Sequence, residues 1–419
     1  MADDELAAVA ALIAAGDDRA AFDTLRARLG WPHGKAAPDF FAWIAVLGTL
    51  AERGGAEQLA GLAREVVRDP DSPDRLYELG YALIDASAAS IAASVLWRCM
   101  ALVGDSEQVV CELVSALETS LAHADAFAVL AERETLRAHS FMCQYLYAFD
   151  AAMAGKLEIT RASLAELRAD LDHNDPPNQH GAMVNAIAAI VRRADRVTGA
   201  CSLDDGDLRG WHYVLTGSLL VHQSPYGWPD PMRGRYAWLK DSHARIATGI
   251  DRLGALAAAA GAPCVYAPSG RAHEIVARAA ALRLGLPLMP WPSIGVPAPG
   301  IVALYDLAEL PEGTDKLVAR RDGQIVFAHA TPWTHDCPVA ADVTTLVYQH
   351  LTPPWIEDDA RSIEAIAAEI AASPGLGADE LAAEEPARWT SLIERTWPPE
   401  LGPRSRAWAG GPVRSNRFE

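Results

Sequence analysis

The sequence predicts an α-helical first half followed by a mainly parallel α/β sheet domain, and three observations carry that expectation. Proline and tryptophan are unevenly divided: residues 1–200 hold six of the 27 prolines and three of the twelve tryptophans, Trp31, Trp43 and Trp97. Proline interrupts helices and marks turns, so the first part can be nearly all helix and the second cannot. Between about residues 40 and 172, apolar and small residues recur at a fixed interval. From residue 263 onward, short apolar runs alternate with helical stretches, the order that builds a parallel sheet. The 419 residues therefore divide into a helical domain over 1–199, an α/β domain over 200–373 and an extended tail over 374–419, consistent with roughly 150 residues per domain.

Half of the chain is hydrophobic and 22% is charged, enough apolar surface for a sizeable core and too much for wholesale disorder. The net charge of -19 is shared by both parts, with 17 basic against 29 acidic residues before position 200 and 19 against 26 after it. An acidic surface argues against nucleic acid and anionic membrane as partners, because neutralising phosphates needs a basic face. The amino terminus, MADDELAAVAALIAAGDD, lacks the basic flank of a secretory signal, and no run is long enough to span a bilayer. Six cysteines at 99, 111, 143, 201, 264 and 337 form no CxxC pair, which fits reduced thiols in a cytoplasm.

The repeat can be followed residue by residue. Leu76, Leu79, Gly80, Leu83, Ala92 and Leu96 recur 34 positions later as Val110, Leu113, Val114, Leu117, Ala126 and Leu130. A further step gives Tyr147, Ala148, Ala151 and Leu164, with Gln144 and Thr160 out of pattern, and Ile44, Leu47, Gly48, Ala51 and Ala60 repeat the spacing upstream, two residues out of phase. This pattern resembles the tetratricopeptide repeat, whose helical hairpins set a large apolar residue beside a small one in the first helix and an alanine in the second. Val114 departs from the small position, and the terminal proline is clear only around Pro70 and Pro73. The resemblance implies an α-solenoid with a protein or peptide partner on its surface, capped by helices near 3–15 and 19–29 and closed by one at 180–196, after a loop at 172–179.

In the second half, Trp211, Tyr213, Leu215, Leu219 and Val221 at alternate positions predict a strand. A proline- and aromatic-rich loop covers 223–235, and a helix from about Ser242 to Ala260 is capped by Asp241 or Ser242 and stopped by Gly261. Pro263–Ala267 reads as a strand, Gly270–Leu284 as a helix capped by Ser269 and stopped by Gly285, and Leu286–Met289 and Gly300–Asp306 as strands. Leu317–Ala330 predicts a hairpin turning at Arg321, Asp322 and Gly323, and helices are expected over 340–351 and 359–372.

Ligands of such sheets sit at the carboxyl ends of strands, where loops lead into helices. That rule selects Ser269, Gly270 and Arg271 as the ligand-binding loop, because exposed N–H groups, a helix dipole and an arginine suit a small anionic ligand, a phosphate or carboxylate. Ser269 and Gly270 also read as a plain cap and turn. His222 and Asp306 end two of the predicted strands and are the candidate catalytic pair, since a histidine near an aspartate can act as a general base. Ser218, Ser224, His329, His335 and Asp336 fall near the same edge, but neither serine has a GxSxG elbow. Trp291, in Met289-Pro290-Trp291-Pro292, joins Tyr226, Trp228, Trp238, Trp333 and Trp355 either as an apolar ligand wall or as packing of loops over the sheet. His335-Asp336-Cys337 has no metal-binding spacing, so no metal site is expected, and no motif names a cofactor. Neither a P-loop nor GxGxxG is present. The unit at 263–284 resembles that of a phosphoribosyltransferase or the nucleotide half of a glycosyltransferase, but the phosphoribosyltransferase's acidic pair is missing from 262–271.

Two functions follow. The first is an intracellular scaffold or adaptor that binds a protein segment on its helical repeats and carries a fused α/β ligand-binding domain; the acid surface favours a basic or apolar peptide. The alternative is a group-transfer enzyme or hydrolase acting on a phosphorylated or carboxylated substrate in the α/β domain, with the repeats recruiting it.

Overall fold

Strong helix formers crowd the first half of the chain, and there it folds as consecutive helical hairpins. The computed structural model describes residues 2–174, 180–228, 232–291, 299–310, 313–355, 361–381, 386–399, 402–415 and 417–418. It divides into two units, Met1–Val184 and Asn185–Glu419. In the first unit α1 (Ala2–Ala15) pairs with α2 (Asp18–Leu29), α3 (Phe40–Arg53) with α4 (Glu57–Arg68), α5 (Pro73–Asp85) with α6 (Ala89–Val103), and α7 (Glu107–Thr119) with α8 (His123–Ala131). After the short α9 (Glu134–His139), α10 (Phe141–Met153) pairs with α11 (Leu157–Asn174), and α12 (Gly181–Arg196) follows. The leading helices start at residues 40, 73, 107 and 141, intervals of 33, 34 and 34. Of the loop expected over 172–179, residues 172–174 continue α11 and the rest lie outside the described residues.

The hairpins share one closing device. Ala51, Leu83, Leu117 and Ala151 each give their carbonyl to the amide five residues on, at Ala56, Ala88, Ala122 and Lys156, with N···O distances of 2.7 to 2.8 Å. The residue before each of those amides, Gly55, Ser87, Leu121 or Gly155, has φ between 58° and 77°. This is a left-handed helix stop that uses up a carbonyl orphaned at the helix end. The small positions of the motif mark close helix approach. A Cβ on Gly80 would sit 2.6 Å from Cγ of Leu96 across the α5–α6 pair, and one on Gly48 3.2 Å from Cβ of Ala63 across α3–α4.

The second unit begins in α12 and continues as α13 (Leu208–Thr216), β1 (Leu219–Leu220), β2 (Tyr236–Lys240), α14 (His243–Ala260), β3 (Val265–Ala267), α15 (Arg271–Leu284), β4 (Leu288–Pro290), β5 (Gly300–Asp306), β6 (Gln324–Pro332), β7 (Val343–Thr352), α16 (Ile363–Ala372), α17 (Ala378–Leu381) and α18 (Pro386–Thr396). The strands form one sheet in the order β1-β7-β6-β5-β3-β4, with β2 continuing along β7 beyond β1. Every ladder is parallel. All residues of β5 and β6 are buried, as expected of central strands covered on both faces.

Three expected elements differ. The strand over 211–221 is α13 followed by only two strand residues. Asp207 accepts a hydrogen bond from the Gly210 amide at one end, and Gly217, at φ 80°, stops the helix at the other. Almost every side chain of α13 is buried, so no polar face disclosed its period. The helix over 340–351 is β7, whose Val343, Thr344, Thr345, Val347 and Tyr348 favour extended backbone. The hairpin over 317–330 does not form: a turn at Gly323 leads into β6, which pairs in parallel with β5 and β7. The loop over 223–235 ends in a strand, β2, that the sequence reading did not contain. Ser269 does not cap α15; its cap residue is Gly270, without a side-chain bond.

The stretch beyond 374 contributes to the core through Leu392, Ala407, Ala409 and Val413. One buried ion cluster fixes it. Asp342, just before β7, accepts Arg404 Nη2 at 2.7 Å, Arg320 Nη2 at 2.6 Å and the Val326 amide at 2.9 Å. Arg404 also donates to the carbonyls of Leu317 and Gln324. Burial alone would raise the Asp342 carboxyl, but Arg404 and Arg320 outweigh it and hold the group below its ordinary range.

Two substitutions in the hairpins should act in opposite directions on the melting temperature followed by circular dichroism. Ser87→Gly removes a left-handed non-glycine residue, a strain of about 1–2 kcal/mol partly offset by added unfolded-state freedom, so the transition should rise by a few degrees. Gly80→Ala drives a methyl into Leu96 and should lower it, by about 1–3 kcal/mol, despite alanine's better helix propensity. A stabilising Gly80→Ala would show that the two helices do not meet there.

Candidate functional site

At the carboxyl edge of the sheet, β3 has β4 on one side and β5 on the other, so the chain reverses its winding between β3 and β5. This is where an open parallel sheet offers a crevice. Ser269, Gly270 and Arg271 follow β3, and Asp306 ends β5 next to it. Ser269 and Gly270 are exposed, and Arg271 donates to the Arg361 carbonyl at 2.9 Å. His273 of α15 stands between them: its Nδ1 accepts the Tyr305 amide at 3.1 Å and its Nε2 donates to the Glu309 carbonyl at 2.7 Å. An amide can only donate and a carbonyl only accept, so the two bonds fix one neutral tautomer and occupy both nitrogens.

Asp306 accepts the Tyr348 hydroxyl at 2.5 Å and the Ala308 amide at 2.9 Å. Burial pushes its carboxyl above the usual range, with Tyr348 opposing. His222 is fully buried beyond β1 and meets the Tyr236 hydroxyl at 2.9 Å. β7 and β6 lie between the strands of His222 and Asp306, so the structure does not bring these two together. Trp291, after β4, is partly buried against the cluster containing Cys264, Tyr266, Val302 and Leu304.

The densest polar constellation on this edge centres on Asp241, immediately after β2. Its Oδ2 faces His329 Nε2 at 3.0 Å and the Tyr305 hydroxyl at 3.2 Å; its Oδ1 accepts the Ser242 amide at 2.8 Å and Arg245 Nη1 at 3.3 Å. Arg245 continues to Glu380 of α17 at 2.9 Å. Register brings the parts together: β5 and β6 run side by side with Leu304 opposite Ala328 and Asp306 opposite Ala330, so Tyr305 and His329 share a face and stack with ring centres 5.7 Å apart. Burial would raise the Asp241 carboxyl, but His329 and Arg245 outweigh it and keep the group ionised below its ordinary range. An ionised Asp241 accepts only, so His329 donates from Nε2. The other nitrogen, Nδ1, is buried and has no hydrogen-bond partner, as is Thr345 Oγ1 on the neighbouring strand. An aspartate orienting an imidazole whose second nitrogen is unused has the form of a general base. The sequence reading placed His329 near this edge but gave Asp241 only a capping role; a lone histidine inside the apolar run Ile325–Ala330 was the available signal.

The helical unit holds a larger feature, a groove of about 980 Å³ formed by α9, α10 and α11. The cavities that stand out in the α/β unit measure about 30 and 200 Å³. Glu134, Glu158, Glu166 and Asp170 line the groove against two basic side chains, Arg137 and His139. Arg137 is committed elsewhere, donating to the Leu130 carbonyl at 3.0 Å and lying 3.9 Å from the Tyr147 ring centre. Glu158 pairs with Arg161 at 2.7 Å on the exposed surface, a contact of little net energy. Tyr147 and Phe141 add aromatic surface.

Comparison with protein-family models, with curated proteins and with solved structures gives no match for the chain. No described helix is long and apolar enough to cross a membrane.

The Asp241 carboxylate makes stability depend on acid in a defined direction. A depressed carboxyl contributes fully above its unfolded value of about 3.9 and loses that contribution as pH falls through its lower folded value. Asp241→Asn should weaken the α/β unit at neutral pH by about 3–5 kcal/mol, because Arg245 loses its buried carboxylate partner and keeps only the part-exposed Glu380. The difference from the parent should shrink in acid denaturation below about pH 4. An offset independent of pH would mean that Asp241 is not charged in the folded protein.

Proposed function

We propose that the protein is an interaction protein whose helical hairpins, of tetratricopeptide type, capture a basic segment of a partner in the groove of α9–α11, with the α/β unit as a fused ligand-binding module. The observation that carries this reading is the groove itself: the largest of the cavities described above, with an acidic lining that leaves Glu134 and Glu158 exposed at its rim. The hairpins support it, because stacked helix pairs present such grooves as a matter of their geometry. Arginine and lysine side chains suit it because they pair with its carboxylates.

The test is a peptide array of constant length and graded net charge probed with the full chain. Basic peptides should bind, the signal should fall as salt is raised from about 50 to about 500 mM, and the double change Glu134→Lys with Glu158→Lys should weaken binding by roughly tenfold or more, as about 1.4 kcal/mol lost would. Binding that ignores peptide charge, or survives the double change, would overturn the proposal.

A second reading, group transfer or hydrolysis in the α/β unit, is favoured by the Asp241–His329 dyad and its unused Nδ1. It expects turnover of a phosphate- or carboxylate-ester panel that His329→Gln removes at a temperature where circular dichroism shows the variant still folded, although loss of a buried partner of Asp241 lowers its melting transition. Equal turnover in parent and variant would discard it.

A further inference from the structure

The interior of the helical unit contains a polar cluster that packing does not require. Glu118 ends α7, His123 begins α8 and Asp150 lies in α10. One donor atom from each lies within 4.8 Å of the other two. His123 Nδ1 is 2.9 Å from Asp150 Oδ1, and the Asp150 side chain is wholly buried. Its ion pair among the described residues is with His123 alone, its Oδ2 is sealed from water, and its carboxyl also hydrogen-bonds the Glu118 side chain.

The repeat itself shows that these residues are departures. Thirty-four positions before Asp150 stands Ala116; 34 before and after Glu118 stand Ile84 and Ala152; 34 before and after His123 stand Ala89 and Leu157. Every equivalent position is apolar, so the hairpin architecture is satisfied without a charge there. Three polar substitutions have instead converged from three helices on one point. A buried carboxylate without an arginine or lysine is costly unless something cationic answers it.

We propose that Glu118, His123 and Asp150 form a binding site for a divalent transition cation, with zinc the best match. Two carboxylate oxygens and an imidazole nitrogen are a donor set that zinc accepts at about 2.0–2.2 Å from each. In a tetrahedral site that places donors roughly 3.4 Å apart, so an ion parts the His123–Asp150 contact, now 2.9 Å, and takes Glu118 as its third donor. Glu118, half-buried at the end of α7, is the side chain with room to move. Three protein donors leave a fourth position for water or a ligand. The site joins α7, α8 and α10, so occupancy clamps one hairpin to the next.

One neighbouring feature offers an alternative binding site that the experiment must separate. Cys111 and Cys143 meet across the same α7–α10 contact, with sulfurs 3.8 Å apart. The untagged full-length chain, stripped with chelator, is titrated with zinc by calorimetry and with cobalt by visible absorption. The parent should take up one tight ion per chain and melt at a higher temperature when loaded. Asp150→Asn and Glu118→Gln should each weaken uptake by about a hundredfold or more and remove the thermal shift. Cys111→Ser with Cys143→Ser should leave both unchanged, and cobalt should show no thiolate charge-transfer band. Should Asp150→Asn fail to fold, Glu118→Gln, at a half-buried helix end, decides alone. Absence of tight binding in the parent, parental affinity in Glu118→Gln, or loss of binding in the cysteine variant would each overturn the assignment.

Discussion

A carboxylate shut away from water must be answered by positive charge or hydrogen-bond donors, or else hold a proton. That constraint organises both units around three aspartates. Asp342 is answered by Arg404 and Arg320, and in answering it these arginines draw residues far apart in the chain onto the amino end of β6. Asp241 is answered by His329, Tyr305, Arg245 and a backbone amide, which join β2, β5, β6 and α14. Asp150 has His123 as its ion-pair partner and hydrogen-bonds the Glu118 side chain. The first two aspartates each have an arginine against them, while the third has none.

The same comparison separates scaffold from site in the α/β unit. Its apolar strands would form a sheet without Asp241, but β2 would lack its polar attachment to the strands beyond β7. Beside the loop where anion binding was expected stands His273, whose two nitrogens serve backbone groups. Both nitrogens are thereby committed to tying α15 to β5 and the turn that follows it. The dyad of Asp241 and His329 differs because one imidazole nitrogen has no such duty.

What could be read from the sequence depended on whether a feature is local or periodic. The hairpins were legible because steric demand repeats: Gly80 must be small where Leu96 approaches, and Ala51, Leu83, Leu117 and Ala151 fall at the stop of each leading helix. The caps at Ser242, Gly261 and Gly285 were legible because they act over one turn. β7 was not, since a strand buried on both faces has no alternation and begins after two alanines that suggest a helix. The fold of α13 was hidden for the same reason. Asp241 and His329 are 88 positions apart, and no spacing rule connects residues that meet only through sheet register.

Periodicity also supplies a reason to look where the repeat fails. Consecutive leading helices α7 and α10 run in parallel register, since Cys111 meets Cys143 at one level and Glu118 meets Asp150 two turns further on, both 32 residues apart. A stack built in this way needs only apolar or small side chains at those levels, as the neighbouring hairpins show. Drift alone would scatter polar replacements over the surface, where they cost little. Replacements that enter the interior from three helices and converge within bonding distance are paid for in stability, and are most simply understood as retained for what they bind.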